Sequence, residues 1–164
     1  MRHLPHIITC LLAALAMTTS CSDDNCQDNG SSLPLATCYV GNSQTNISGL
    51  TIMGVGVPGD SLLADSSSLS EVYLPLRAST TTTSYALSRW ANRGTTRVQL
   101  RDTITIDYQP IEYFHSTECG AMFNFDIEHV GTTTHGIDSV VLLTPLVTNS
   151  RTPSLRIHFT DFSQ

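Results

Sequence analysis

Lysine is absent from this chain. All eight basic side chains are arginines, set against fourteen Asp and Glu, for a formal net charge of −6. Such a protein lacks the positive field that attracts nucleic acid or anionic headgroups, so no nucleic-acid partner is expected. Helical periodicity is missing too: after residue 20 no segment repeats apolar residues at i, i+3 and i+4. There is no GxSxG elbow, no HExxH, no phosphate loop and no CxxC pair. The usual signatures of serine hydrolases, zinc proteases, nucleotidases and zinc ribbons are therefore wanting. No cofactor is expected.

What the chain does have is a segmented N terminus. Residues 1–6 carry one firm charge, Arg2, and residues 7–17 are almost wholly apolar. That run suits the core of an export signal and is too short to span a bilayer. Met17-Thr18-Thr19-Ser20-Cys21 approximates a bacterial lipobox, with Thr18 where leucine is usual. Cleavage before Cys21 would leave residues 1–20 as signal peptide and put acyl chains, palmitate among them, on Cys21. Each buried methylene adds about 0.8 kcal/mol, so more than one chain makes a stable anchor. Cleavage after Ala14-Leu15-Ala16, releasing a soluble protein, is the competing expectation. Residues 21–32 are polar and rich in Gly, Ser and Asn, a lipidated flexible tether. Residues 33–164 form one domain, long enough to bury a real core.

The five cysteines sort by position. Cys10 leaves with the signal and Cys21 takes lipid. Cys26, Cys38 and Cys119 remain, in an oxidising compartment where one bridge and one spare thiol fit. Cys26–Cys119 is favoured, because Cys26 sits in a flexible segment that gains from being pinned. Cys38 lies in a strand-like run where a thiol packs as a small hydrophobe. Cys38–Cys119 is the alternative.

Alternation of period two is frequent. Ile104, Ile106 and Tyr108 share a face, as do Phe123, Phe125 and Ile127, and Leu155, Ile157 and Phe159. Val72, Leu74 and Leu76 alternate as well, with Pro75 marking an edge or strand end. Asn92-Arg93-Gly94 reads as a hairpin tip, and Pro58-Gly59-Asp60 as a turn. The Ser/Thr run at 79–84 fits either an exposed edge strand or a tip. About seven to nine short strands predict an all-β fold, an antiparallel β-sandwich of immunoglobulin-like or related type, with a closed β-barrel as alternative.

Three stretches carry a family resemblance. Leu33-Pro34-Leu35-Ala36 follows the tether. Gly54-Val55-Gly56-Val57-Pro58-Gly59-Asp60-Ser61-Leu62-Leu63 leads to Ser70-Glu71-Val72-Tyr73-Leu74-Pro75-Leu76. Ser116-Thr117-Glu118-Cys119-Gly120-Ala121-Met122 precedes a strand. In this order they resemble uncharacterised Bacteroidetes (Bacteroides-type) lipoproteins of about this length. The resemblance implies no activity. It includes Cys26 and Cys119 but not Cys38, which supports the first bridge. Ser22-Asp23-Asp24 after Cys21 resembles the acidic signal that sends such lipoproteins to the cell surface. The expected location is thus the outer membrane, on its outer face, with the periplasmic face as alternative.

The remaining chemistry is sparse. Asn25-x-Gln27-x-Asn29-Gly30 echoes a calcium loop, but an EF-hand needs Asp and Glu where Asn25 and Ala36 stand. Asp60, Asp65 and Asp138 are read as turn-capping rather than calcium-binding. His115, His129, His135 and His158 show no zinc spacing, and His129 is expected near the core at a strand end. Glu112, Glu118, Asp126 and Glu128 are the carboxylates that could supply a glycosidase pair, but Asp126 and Glu128 lie on the polar face of one strand, as solvated acids do, and no enzyme is expected. Arg89, Arg93, Arg97 and Arg101 surround the hairpin beside Trp90. Cross-strand pairing with acids and a buried Trp is the favoured reading, and an anionic-sugar or partner contact is the other. Asp60-Ser61-Leu62, Asp102-Thr103-Ile104 and Asp138-Ser139-Val140 match the Asp-Ser/Thr-apolar pattern that Bacteroidetes O-glycosylate, making Ser61, Thr103 and Ser139 candidate acceptors. The expectation is a lipid-anchored, non-catalytic binding or structural module with an envelope-protein or glycan partner. A calcium- or glycan-binding module, and then a glycan hydrolase, are the alternatives.

Overall fold

The computed structural model describes residues 32–56, 61–117 and 120–162. Among them there are eleven strands and no helix: β1 Leu35–Val40, β2 Ser43–Gln44, β3 Ile47–Gly54, β4 Leu62–Leu69, β5 Glu71–Tyr73, β6 Thr82–Arg93, β7 Thr96–Ser116, β8 Gly120–Thr132, β9 Ile137–Leu142, β10 Leu146–Val147 and β11 Pro153–Phe159. They form two sheets. The larger has the order β10-β8-β7-β6-β3-β4; the smaller has β2-β1-β11-β9, with β5 also on β1.

The period-two faces meet between the sheets. Ile104, Ile106, Tyr108, Phe125 and Ile127 project from the larger sheet, and Ala36, Cys38, Leu155, Ile157 and Phe159 from the smaller, into one buried cluster. Each large aliphatic side chain so buried stabilises the fold by about 1.5–3 kcal/mol relative to exposure. Tyr108 meets Phe125 edge-on at 5.4 Å. Its hydroxyl accepts from Arg77 N at 3.0 Å, donates to Arg77 O at 2.9 Å and meets Thr83 Oγ1 at 2.8 Å. That pins the connection after β5, which ends before Pro75 as a missing N–H requires.

Three expectations need correction. The sandwich is not purely antiparallel, because β1 runs parallel to β11, with Ala36 opposite Leu155 and Val40 opposite Phe159. Leu35, Ala36, Thr37 and Cys38 are consecutively buried, as a covered parallel strand demands. The Ser/Thr run is not one edge strand or one tip but a turn followed by a strand start: Ser79, Thr80 and Thr81 lie before β6, and Thr82, Thr83 and Ser84 open it, paired with β7 ahead of the β3 pairing that begins at Tyr85. His129 is not near the core. Asp107 faces His129 while Tyr108 faces Ile127, so a bulge absorbs Glu128 and flips the alternation. His129 then points outward, 71 % exposed, with Nδ1 3.5 Å from Asp107.

The hairpin tip is as expected. Gly94 and Thr95 join Arg93 and Thr96, and Gly94 has φ of +62°, which a two-residue hairpin turn needs at its first position. At the opposite end the β7–β8 ribbon outruns its neighbours. Pairing of β6 with β7 starts at Thr82 and Asp107, whereas β7 stays paired with β8 to Ser116. Beyond Pro110 and Phe125, where β10 also stops pairing with β8, the extra residues project about 20 Å at strand rise, with Phe114 70 % exposed near their end.

Candidate functional site

The β6–β7 tip gathers the arginines. On β6 the alternation turns Leu87, Arg89 and Ala91 inward and Ser88, Trp90 and Asn92 outward. Arg89 therefore closes the end of the core. Its guanidinium lies 5.4 Å from the Phe159 ring centroid and 5.3 Å from that of Phe162, and donates to Thr160 O at 2.9 Å. Burial lowers the pKa of Arg89, opposed by Asp102, Asp138 and Asp161. Arg93 takes a second position on Phe162, 5.2 Å from its centroid.

Trp90 overturns the favoured reading of this cluster. It is 52 % exposed, with the Arg97 guanidinium 5.0 Å from its ring. Gln99 stands directly opposite Trp90 on β7, and Arg101 donates to Gln99 Oε1 at 2.8 Å. Among the described residues none of Arg89, Arg93, Arg97 and Arg101 forms an ion pair with a carboxylate. The cause is register. Arg97 faces Asn92, Trp90 faces Gln99 and Arg101 faces Ser88, so no acid stands across from any outward arginine. A shallow groove of about 540 Å³ runs beside β7, lined by Arg93, Gln99, Arg101 and His135 among others and by no carboxylate.

The carboxylate that follows Arg101, Asp102, is occupied. It is 5 % exposed, and its Oδ1 accepts from Thr133 Oγ1 at 2.8 Å, His135 N at 2.7 Å and the His135 ring at 3.1 Å. Oδ2 accepts from Gly136 N at 2.7 Å and Ile137 N at 3.1 Å. Burial pushes its pKa up, but the bonds from His135, Thr133 and Gly136 outweigh this and hold the carboxyl below its ordinary value. Asp102 thus fixes the corner between β8 and β9. Gly136 completes it: a Cβ there would meet Leu100 Cδ1 at 2.8 Å.

The other candidates lie apart. Cys21, Cys26, Cys119, Asp60 and Glu118 fall outside the described residues, so lipidation and the Cys26–Cys119 bridge are not tested; neither is the calcium-like loop at 25–30. Cys38 is a buried free thiol whose pKa burial raises to about 11. Ser61 and Ser139 are exposed, while Thr103 is half-buried in the middle of the larger sheet. Glu112 faces Phe123 and Asp126 faces Gln109, which puts them on opposite faces of the ribbon. No group of three His, Cys, Asp or Glu side chains assembles as a metal site among the described residues. Asp65 neighbours Ser66, and Asp138 accepts from Thr160 Oγ1 at 2.5 Å.

These features define a two-sheet, all-β domain with an arginine–aromatic surface at one end. The chain belongs to DUF6452, a family of unknown function, whose pattern matches residues 49–159. No curated protein and no solved structure matches it.

Proposed function

We propose that this protein is a non-catalytic binding module displayed from a membrane by lipid on Cys21. The observation that carries the reading is the polarity of the domain. The chain enters at one end, where Ser32 Oγ donates to Asn124 at 2.8 Å and Leu74 N to Pro34 O at 3.0 Å. The arginine–aromatic surface sits at the other, beyond Val40 and Phe159. A tether on residues 21–32 would turn that surface away from the bilayer. The export segment, Cys21 and the resemblance to Bacteroidetes lipoproteins support the anchor, and Ser22-Asp23-Asp24 supports the outer face of the outer membrane. O-glycosylation at Ser61 or Ser139 suits such exposure, and a Cys26–Cys119 bridge would tie the tether to the ribbon.

Cys21→Ala tests the reading. The variant should leave the membrane fraction yet keep the β-rich circular dichroism of the parent. Retention after a high-salt wash would refute the lipid anchor. Protease treatment of whole cells should remove the parent; protection would place it on the periplasmic face.

A further inference from the structure

We infer that the outer face of the β6–β7 tip binds a carboxylate-bearing glycan, with Trp90 as the stacking platform and Arg97 and Arg101 as the acid-binding groups. This rests on the binding-module reading and assigns its ligand class.

Three observations converge. First, Trp90 exposes half its surface although the protein has a core to bury it in, and it is the only Trp in the chain. A flat apolar ring facing solvent offers a surface for the C–H face of a sugar ring while its surroundings stay wet. Second, its neighbours on the outer face of the hairpin are neutral hydrogen-bonding groups, and Asp161 lines the hollow on the other side of Trp90. Ser88 and Asn92 flank Trp90 on β6, and Gln99 faces it on β7, suited to hydroxyls. Third, the charges are unanswered. Arg97 and Arg101 stand two residues either side of Gln99 on the same face, about 13 Å apart at strand rise, with no carboxylate across from either. The carboxylates at this end, Asp102, Asp138 and Asp161, act on Arg89 on the other face of the hairpin, which leaves Arg97 and Arg101 free to meet an anion.

The guanidinium fork selects among anions. It meets a planar carboxylate with two parallel hydrogen bonds, and arginine keeps its charge at any physiological pH. Arg97 already lies over part of Trp90, so a sugar would stack on the ring surface that the guanidinium leaves uncovered, with the acid-binding group held beside it at little cost in side-chain entropy. Continuation along β7 leads past Gln99 to Arg101 and the acid-free groove that Arg93 and His135 also line. The shape is a shallow track without a deep apolar pocket, which fits a polymer lying across it better than a folded partner anchored by a hydrophobic hot spot. Nucleic acid fits poorly, since a phosphate every few ångströms demands a longer basic stripe than three exposed arginines.

The test uses the full chain purified in detergent, with polygalacturonate and polysialic acid as carboxylated probes. Methyl-esterified polygalacturonate, polyglutamate and a dT oligonucleotide are the comparisons. The expected result is saturable binding to at least one carboxylated glycan, weakened about tenfold or more by esterification, which corresponds to 1.4 kcal/mol or more. Trp90→Ala and Arg101→Gln should each weaken binding about tenfold with the melting temperature unchanged, since both residues are exposed. Failure to bind either glycan, equal binding of the ester, insensitivity to both substitutions, or preference for polyglutamate or the oligonucleotide would overturn the inference. Membrane retention of Cys21→Ala is read separately, so anchor and ligand fail independently.

Discussion

Asp102→Asn should be among the most damaging single substitutions in this protein. The native carboxylate accepts five hydrogen bonds from Thr133, His135, Gly136 and Ile137. Asparagine keeps one oxygen, which can retain the Thr133 and His135 side. Its amide nitrogen then points donors at the N–H groups of Gly136 and Ile137, both buried. Leaving two buried donors unmade costs about 1–3 kcal/mol each, and the loss of a charge that no longer needs burial returns part of it. A net loss of about 3 kcal/mol corresponds to about 6–12 °C in melting temperature for a domain of this size. Because the native carboxyl titrates below its ordinary value, its contribution is complete above about pH 4. It is lost as pH falls through the lowered native value. The gap between parent and variant should therefore be full at pH 7 and close on acidification below pH 4. Thermal melts followed by circular dichroism across pH 2.5–7 would show it. A variant that melts within about 1 °C of the parent at pH 7, or a gap that persists unchanged at pH 2.5, would refute the assignment of Asp102 as an ionised cap.

Other outcomes are as definite. Cys38, with its pKa raised to about 11, should resist iodoacetamide at pH 8 in the folded protein and react once the chain is unfolded. Trp90 should emit at the long wavelengths of a solvated indole and be quenched freely by acrylamide; a blue-shifted, protected emission would place it in the core against its 52 % exposure. Gly136→Ala should cost about 1–3 kcal/mol in a urea titration, because the new methyl overlaps Leu100, and a neutral result would mean that the corner relaxes.

Much of the core was legible in the sequence because period-two alternation is a direct record of a face. Ile104, Ile106, Tyr108, Leu155, Ile157 and Phe159 are all buried as read. What alternation cannot show is an interruption. The bulge at Glu128 adds one residue to β8, and every outward or inward assignment beyond it reverses, which is how His129 came to be misplaced. Nor does a single strand reveal its partner, so the parallel pairing of β1 with β11 left no mark apart from the unbroken burial of Leu35 to Cys38. The site was half visible. The arginines and Trp90 were recognisable as a cluster, but whether acids would answer them depended on register across the hairpin. Asp102 did leave a signal: it shares the face of Leu100 and Ile104, and a charged residue on an apolar face asks for buried donors. Its donors come from about thirty residues downstream, at separations no local pattern contains.

The pairing of β1 with β11 also sets an order of events. Thr37 donates to the carbonyl of Leu155, 118 positions later in the chain. β1 lies between β11 on one side and β2 and β5 on the other. Until Pro153–Phe159 has been made and delivered, β1 lacks its main partner, and Ala36 and Cys38 have no smaller sheet to complete. Contacts this distant must close a long loop before they stabilise anything, so they form late and slowly. A chain emerging N terminus first would remain open until its last strand arrived. Its final fold would belong to the compartment in which synthesis or transport ended, rather than to the one in which β1 first appeared.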